Sequence, residues 1–274
     1  MSSDFPSVLT SISLNFLRKL GNKTSTVFST ISVALGLTDY SLDSGEPLPA
    51  EISDGAPDFD LGEFKEKLES LKEKMESNYL SSTLWRFPFS VHQEKPFFDN
   101  ENNSKNATFI SMDYDENFKI SCDQDVNKWA EDEDFKVLYI PMAGSSCLSF
   151  VIFFPKSTDI GVLESLDAEK FPRLLNELSP TFIDFEIPTF TVHSDLQIGE
   201  ILGLDTGIST QRVFEVKDEV GESDENCRII SKRSTGIIKP PCETNPIKFQ
   251  ANRPFLFIVL NENVPLVMGV FCGK

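Results

Sequence analysis

The spacing of apolar residues along the chain gives one clear helix, over 61–75. Its apolar positions recur every three or four residues, as on the buried face of an amphipathic helix: Leu61, Phe64, Leu68, Leu71 and Met75. Asp60 and Glu63 fit a capping box at its start. Two partners fit this stripe, a coiled-coil helix or the protein's own sheet. Two heptads are short for a coiled coil, so we expect the helix to pack on the sheet.

From residue 80 onward, alternating apolar and polar positions predict mainly β-strands. Apolar runs bounded by polar turns mark the strands, and longer apolar repeats mark two helices between them. The predicted elements are hairpins over 135–154 and 253–272, a strand over 182–192, and helices near 162–178 and 195–202.

Two polar stretches predict loops. Residues 38–60 are rich in Ser, Asp, Gly and Pro, which predicts a flexible loop. Residues 217–248 are polar and punctuated by Gly and Pro, which predicts a long exposed loop. Ahead of both, 8–37 is apolar at helical and then at strand-like spacing. No internal repeat is present, and we expect residues 1–274 to form a single domain.

Charge narrows the classes of partner. The 274 residues include 43 acidic and 25 basic side chains, which gives a formal net charge of −18. This balance argues against binding of nucleic acid and of anionic membrane surfaces, since both need clustered Lys and Arg. The sequence lacks a basic segment followed by an apolar one at its start, and its five cysteines are scattered. Both features favour a reducing, intracellular (cytoplasmic) location.

Side chains with catalytic or ligand-binding patterns are scarce. The two histidines, His92 and His193, stand among ordinary strand or loop residues with no visible nucleophile beside them. No G-x-S-x-G, P-loop or G-x-G-x-x-G motif occurs. The acidic runs 113–116 and 131–134 lack the loop glycine and terminal Glu of an EF-hand, so solvated turns are the better interpretation. We therefore expect no enzyme activity, no cofactor and no metal.

The C-terminal hairpin carries a resemblance to a known family. Residues 249–259, Phe-Gln-Ala-Asn-Arg-Pro-Phe-Leu-Phe-Ile-Val, resemble the C-terminal signature of the serpins, which are inhibitors of serine proteases. Blocks at 27–33, 85–97 and 187–204 are similar to further serpin segments in the same order. The signature positions, to which the resemblance assigns a structural role, are Phe249, Asn252, Arg253, Pro254, Phe255, Met268 and Gly269.

The resemblance implies a mixed α/β serpin-like fold of largely antiparallel β-sheets with packed helices. The stretch between residues 37 and 80 is far shorter than in the family, so we expect the large sheet and several helices to be reduced. Ser29 and Ser32 match serines of a shutter-like polar network in the family. The family's asparagine in that region falls near Ser77 or Asn78, and its histidine is replaced near Thr210.

The resemblance also places the protease-binding segment. The reactive-loop equivalent is 217–248, with 222–241 as the bait. Its hinge positions are Glu219, Gly221, Glu222, Ser223, Asp224 and Glu225. Basic residues that would suit the specificity pocket of a trypsin-like protease at the scissile bond are Lys232, Arg233 and Lys239.

Three hypotheses of function follow. The family activity is inhibition of a serine or cysteine protease through the bait loop. A charged hinge and missing sheet elements instead favour a non-inhibitory serpin-like protein that binds another protein. The third hypothesis is a decayed serpin product that acts at most as a protein-binding module. The partner is a trypsin-like serine protease or another protein, and extracellular location is the family-level alternative to the cytoplasm.

Overall fold

A computed structural model describes residues 5–54, 56, 58–76, 85, 89, 91–99, 101, 103–111, 127–143, 148–218 and 246–273. The helices are α1 Phe5–Leu20, α2 Thr30–Ser44, α3 Ala50–Ser53, α4 Leu61–Glu76, a 3-10 helix Ile160–Ser165, α5 Lys170–Asn176 and α6 Ile198–Leu202. The strands are β1 Thr26–Ser29, β2 Val91–Phe98, β3 Ser104–Ser111, β4 Lys128–Glu131, β5 Phe135–Pro141, β6 Leu148–Pro155, β7 Ser179–Pro180, β8 Ile183–Pro188, β9 Phe190–Gln197, β10 Ser209–Val216, β11 Ile247–Gln250, β12 Phe255–Asn261 and β13 Val264–Phe271. Among these ranges, no helix is long and apolar enough to span a membrane.

An antiparallel sheet of seven strands forms the centre, in the order β1-β13-β12-β6-β5-β4-β7. All eight residues of β6 are buried, and so are nearly all of β12 and β13. Burial on both faces explains why these strands are continuous apolar runs in the sequence. Both predicted hairpins, β5–β6 and β12–β13, are confirmed.

Two smaller sheets complete the β structure. Strands β9 and β10 pair antiparallel, and β11, β8, β3 and β2 form a four-stranded sheet in that order. The pairing of β11 with β8 is parallel, and the other pairings of this sheet are antiparallel. The single strand predicted over 182–192 is therefore two strands in different sheets, because the chain leaves one sheet at Thr189 and enters the other.

Alternate residues of β6 point to opposite faces of the central sheet and contact different layers. Phe153 stacks on Phe171 of α5, with ring centroids 5.1 Å apart. Phe150, three positions earlier, faces the other way and lies 6.2 Å from Phe214 of β10. Helices α1 and α2 contact β13. The central sheet thus has helices and the smaller sheets packed against it.

The loop prediction for 38–60 is wrong at 38–44, which continue α2, and at 50–53, which form α3. Polar residues of α2 made this segment resemble a loop, yet Thr38 is fully buried and donates its hydroxyl hydrogen bond to Ala34 O at 2.8 Å. Local bonding of this kind satisfies a buried hydroxyl within the helix. The helix ends where Gly45 adopts φ 72°, a left-handed conformation suited to glycine.

The predicted helix over 61–75 is confirmed as α4, but its partner is different from the one expected. It packs against α2 rather than the sheet, burying Phe64 and Leu68. Lys65 Nζ lies 2.7 Å from Asp39 Oδ1 on α2. At the start of α4, the Glu63 N–H donates to Asp60 Oδ1 at 2.8 Å, as the capping pattern predicted.

The helix expected near 162–178 is two short helices. Leu166 is extended (φ −74°, ψ 113°), which ends the 3-10 helix. Asp167 Oδ1 then accepts hydrogen bonds from the N–H groups of Glu169 and Lys170, at 2.9 and 2.7 Å. An aspartate that accepts from these N–H groups favours a new helix start. The apolar repeat of the sequence runs through this break and therefore does not show it. The helix expected at 195–202 begins only at Ile198.

Gly269, a position of the serpin-like signature, is needed for close packing within the central sheet. A Cβ atom there would lie 2.5 Å from Cζ of Phe257 and closer still to the carbonyl oxygen of Thr26. We expect Gly269→Ala to lower the free energy of unfolding by about 2–3 kcal/mol, because overpacking in a dense core is destabilising. Urea unfolding measures this.

Gly207 provides the matched control, since a Cβ there meets nothing within 4 Å. Gly207→Ala should change stability by less than about 0.5 kcal/mol. Equal effects of the two substitutions would contradict the packing role of Gly269.

An ionised aspartate ties the turn between β4 and β5 to α5. The side chain of Asp132 is only 5% exposed, and its Oδ2 lies 2.9 Å from Arg173 and 3.4 Å from Lys170. Burial opposes ionisation, but N–H groups of Phe135 and Asp134 and the charge of Lys170 outweigh it, so the pKa of Asp132 is lowered. The sequence interpretation of 131–134 as a solvated turn is therefore wrong for Asp132.

The lowered pKa fixes the sign of a pH effect. The ionised form stabilises the fold fully above the pKa of an unfolded aspartate, about 3.9, and this contribution is lost as the pH falls through the lower, folded pKa. We expect Asp132→Asn to cost about 1–2 kcal/mol at pH 7, with a smaller difference from the wild type below pH 3. Urea unfolding at several pH values measures it. Glu133→Gln, at a side chain that is 78% exposed, should have little effect at any pH.

Candidate functional site

The first signature residues join the central and four-stranded sheets. Phe249 on β11 lies edge-on to Trp129 of β4 and Phe154 of β6, with centroids 5.7 and 5.4 Å apart. The guanidinium carbon of Arg253 lies 4.4 Å from the centroid of Phe154, and its NH2 group donates to Pro155 O. These contacts give the two residues a structural role.

The remaining signature residues continue this junction. Asn252 O accepts from the Phe98 N–H of β2 at 2.8 Å, and Pro254 leads into β12 as a buried residue. Phe255 is fully buried and packs against Phe271 and Phe190, the latter on β9. Met268 is fully buried beside Gly269 on β13. Since these contacts are internal, the signature marks packing rather than a binding surface.

Ser29 and Ser32, which the resemblance assigns to a shutter-like network, form a helix cap in the structure. Ser29 is the N-cap of α2, and its hydroxyl oxygen accepts a hydrogen bond from the Ser32 N–H at 3.3 Å. Between them, the Thr30 hydroxyl donates to Pro265 O of β13. The cap fixes where β1 ends and α2 begins, so these serines position the helix against the central sheet.

Strands β9 and β10 present two different faces. The inner face carries the buried residues Phe190, Val192, Phe214 and Val216, and the outer face carries exposed residues such as His193. Arg212 shares the inner-face register, and burial lowers the pKa of its guanidinium. Burial at this position therefore makes the guanidinium charge less favourable than it is in water.

The end of β10 is held at two points where the chain leaves the sheet. The Trp85 indole N–H donates to Lys217 O, and Trp85 itself is fully buried against Phe89 and Phe150. His92 Nε2, on β2, lies 2.6 Å from Asp218 Oδ2. The backbone of Lys217 and the side chain of Asp218 are therefore both held by residues from outside the sheet of β9 and β10.

The predicted hinge and scissile residues lie outside the described residues. These are Glu219, Gly221, Glu222, Ser223, Asp224, Glu225, Lys232, Arg233 and Lys239. The description of the chain ends at Asp218 and resumes at residue 246, ahead of β11. Their assignment to a bait loop stays a prediction. Thr210, near which the resemblance places the family's histidine, pairs with Leu196 on β9.

Sequence reasoning missed two features of this region. Arg212 could have been found, since strict alternation from Phe214 puts it on the inner face. The contact between His92 and Asp218 left no signal, because the residues lie in different sheets and far apart in the chain. Across the residues that the structure describes, no group of three His, Cys, Asp or Glu side chains could hold a metal ion.

Comparisons with known proteins bear on the fold. No protein-family model and no curated protein matches the sequence. Solved structures do match: SRPN18 from Anopheles gambiae has a TM-score of 0.69 at 12% identity, with 98% of both chains covered. Serpin-12 of Manduca sexta has a TM-score of 0.64 at 13% identity, covering 97% of this chain and 98% of its own. The mouse protein-Z dependent protease inhibitor has a TM-score of 0.65 at 14% identity, with 99% of this chain and 97% of its own covered.

These likenesses agree on one class of protein: the chain has the serpin fold. The predicted fold class, a mixed α/β serpin-like arrangement of largely antiparallel sheets, is confirmed. Identities of 12–14% establish the fold alone.

The capping role of Ser29 generates a testable prediction. Ser29→Ala removes the acceptor for the Ser32 N–H, and loss of a serine N-cap costs about 1 kcal/mol of stability. Ser32→Ala is the matched control, because Ser32 contributes only its backbone N–H to the cap. Urea unfolding should show a loss for Ser29→Ala and less than half of it for Ser32→Ala. The reverse order would show that Ser32 has the larger role.

Proposed function

We propose that this protein is a non-inhibitory member of the serpin type, which binds another protein and does not trap proteases covalently. The observation that carries the proposal is the apolar inner face of β9 and β10. The proposed hinge is charged and begins one residue after Asp218. Its side chains would have to pack on this face if the loop were to enter the sheet of β9 and β10.

The serpin mechanism of trapping depends on the side chains of the hinge. In serpins, trapping requires the cleaved loop to enter the large sheet as a new strand, and the hinge that enters first has small residues. Strand side chains alternate, so one of every two would point inward. With Gly221 aligned to the family's glycine, the inward residues are Glu222, Asp224, Asn226 and Arg228. The other register gives Ser223, Glu225, Cys227 and Ile229.

The energy balance opposes insertion in the first register. Its charged side chains would join Phe214 and Val216, which are at most 1% exposed. Burial of unpaired charges costs several kcal/mol each, on the order of 10 kcal/mol together. About six new ladder hydrogen bonds return about 1 kcal/mol each. The second register is better but still buries the Glu225 carboxylate.

The proposed partner chemistry follows from the basic residues of the segment. Lys232, Arg233 and Lys239 suit a trypsin-like protease, which we expect to hydrolyse the chain as a substrate. A cytoplasmic location is part of the proposal, based on the scattered cysteines.

Incubation with trypsin tests the proposal. We expect the first cuts inside 228–241, no SDS-resistant complex at near-stoichiometric ratios, and little gain in Tm after cleavage. Gel electrophoresis, mass spectrometry of the fragments and calorimetry measure these three outcomes. A covalent complex with a serine or cysteine protease would restore the inhibitor hypothesis.

A hinge variant separates the effect of charge from that of the sheet. Replacement of Glu222, Asp224, Asn226 and Arg228 by alanine removes the inward charges and keeps the candidate scissile residues Lys232, Arg233 and Lys239. If charge is the barrier, this variant should gain thermal stability on cleavage where the wild type does not. Equal behaviour of the two proteins would remove the hinge argument and leave the sheet as the reason.

A further inference from the structure

The contact between His92 and Asp218 links two different sheets. His92 is the second residue of β2, in the four-stranded sheet, and Asp218 follows β10 of the two-stranded sheet. Their Nε2 and Oδ2 atoms are 2.6 Å apart, which makes the contact an ion pair when the imidazole is protonated. The two side chains are 48% and 26% exposed, so protons and water reach the pair.

The same end of β10 has a second restraint that does not titrate. The Trp85 indole donates to Lys217 O, and an indole keeps its N–H at every pH of interest. Residues 217 and 218 are therefore held by one permanent contact and one contact that involves an imidazole. A change in protonation would loosen one restraint without releasing the other.

The charged side chains near the pair on its own strands have partners of their own. On β2 the nearest carboxylate in register is Glu94, which accepts from the Thr108 hydroxyl. On β10, Glu215 forms an ion pair with Lys217. The segments that pair with these strands, 108–111 of β3 and 190–192 of β9, contain no titratable side chain.

We propose that His92 and Asp218 form a proton-dependent clasp that fastens the end of β10 to β2. An imidazole gains its positive charge between about pH 8 and 5, whereas a carboxylate loses its negative charge near pH 4. The contact is an ion pair only while the imidazole is protonated and the carboxylate is ionised, so the clasp is stronger at pH 5.5 than at pH 8. It sets how firmly β10 is anchored where the chain leaves the sheet, whether or not the protein inhibits a protease.

Hydrogen exchange of the full-length protein tests the clasp at fixed pH. Compared with the wild type, His92→Gln should exchange the amides of a peptide covering 209–218 about two- to five-fold faster at pH 5.5, as expected for a half-exposed ion pair. At pH 8 the two proteins should exchange equally. The peptide covering β12 should be unaffected in both, which separates local opening from global destabilisation.

Two more variants complete the design. Asp218→Asn should reproduce the His92→Gln effect at pH 5.5, and the double variant should add nothing to it. His193→Gln is the matched control, because His193 is exposed on the outer face of β9, and it should match the wild type at both pH values. If His92→Gln folds poorly, Asp218→Asn alone supplies the comparison.

Equal exchange of wild type, His92→Gln and Asp218→Asn at pH 5.5 would overturn the clasp. An acceleration of the same size at pH 8 would show that the contact does not depend on protonation and would overturn it as well. Additive effects in the double variant would mean that the two side chains act separately.

Discussion

Burial of the central sheet on both faces is the constraint on which the rest of the structure depends. Strands β6, β12 and β13 have almost no exposed residue, so every side chain on them must meet a packed neighbour. Phe153 is covered by α5 from one side, and Phe150 by β10 from the other. Helices α1, α2 and α5 and the two smaller sheets are held in place because each covers part of this sheet.

The position of β10 follows from the same packing. Phe214 stacks on Phe150 and Phe257 of the central sheet, at 6.2 and 5.3 Å, which fixes the strand from its inner face. Trp85 packs edge-on to Phe150 and reaches Lys217 O with its indole N–H. One aromatic residue of β6 therefore contacts both the strand and the group that holds the strand's end. Packing in the core therefore fixes the position of the end of β10.

The sequence predicted the elements whose burial is uniform and missed those that depend on partners distant in the chain. The terminal hairpin was predictable because short, continuous apolar runs are typical of strands buried on both faces. Helix α2 was missed from its start, because the apolar residues before position 37 have strand-like spacing, and Thr38 and Ser41 are polar although they are buried. Asp132 was taken for a solvated residue, since the cations that pair with it lie on α5, some forty residues away.

The buried interior and the proposed reactive loop are under separate physical requirements. Close packing around Gly269 stabilises the fold through Thr26 of β1 and Phe257 of β12, which both lie outside 219–245. Trapping a protease makes a further demand, because the hinge must be as apolar on alternate positions as the face that it joins. A chain can therefore retain the fold at 12–14% identity while its proposed hinge carries Glu222 and Asp224. Likeness of fold informs about the first requirement, and the side chains of the proposed hinge bear on the second.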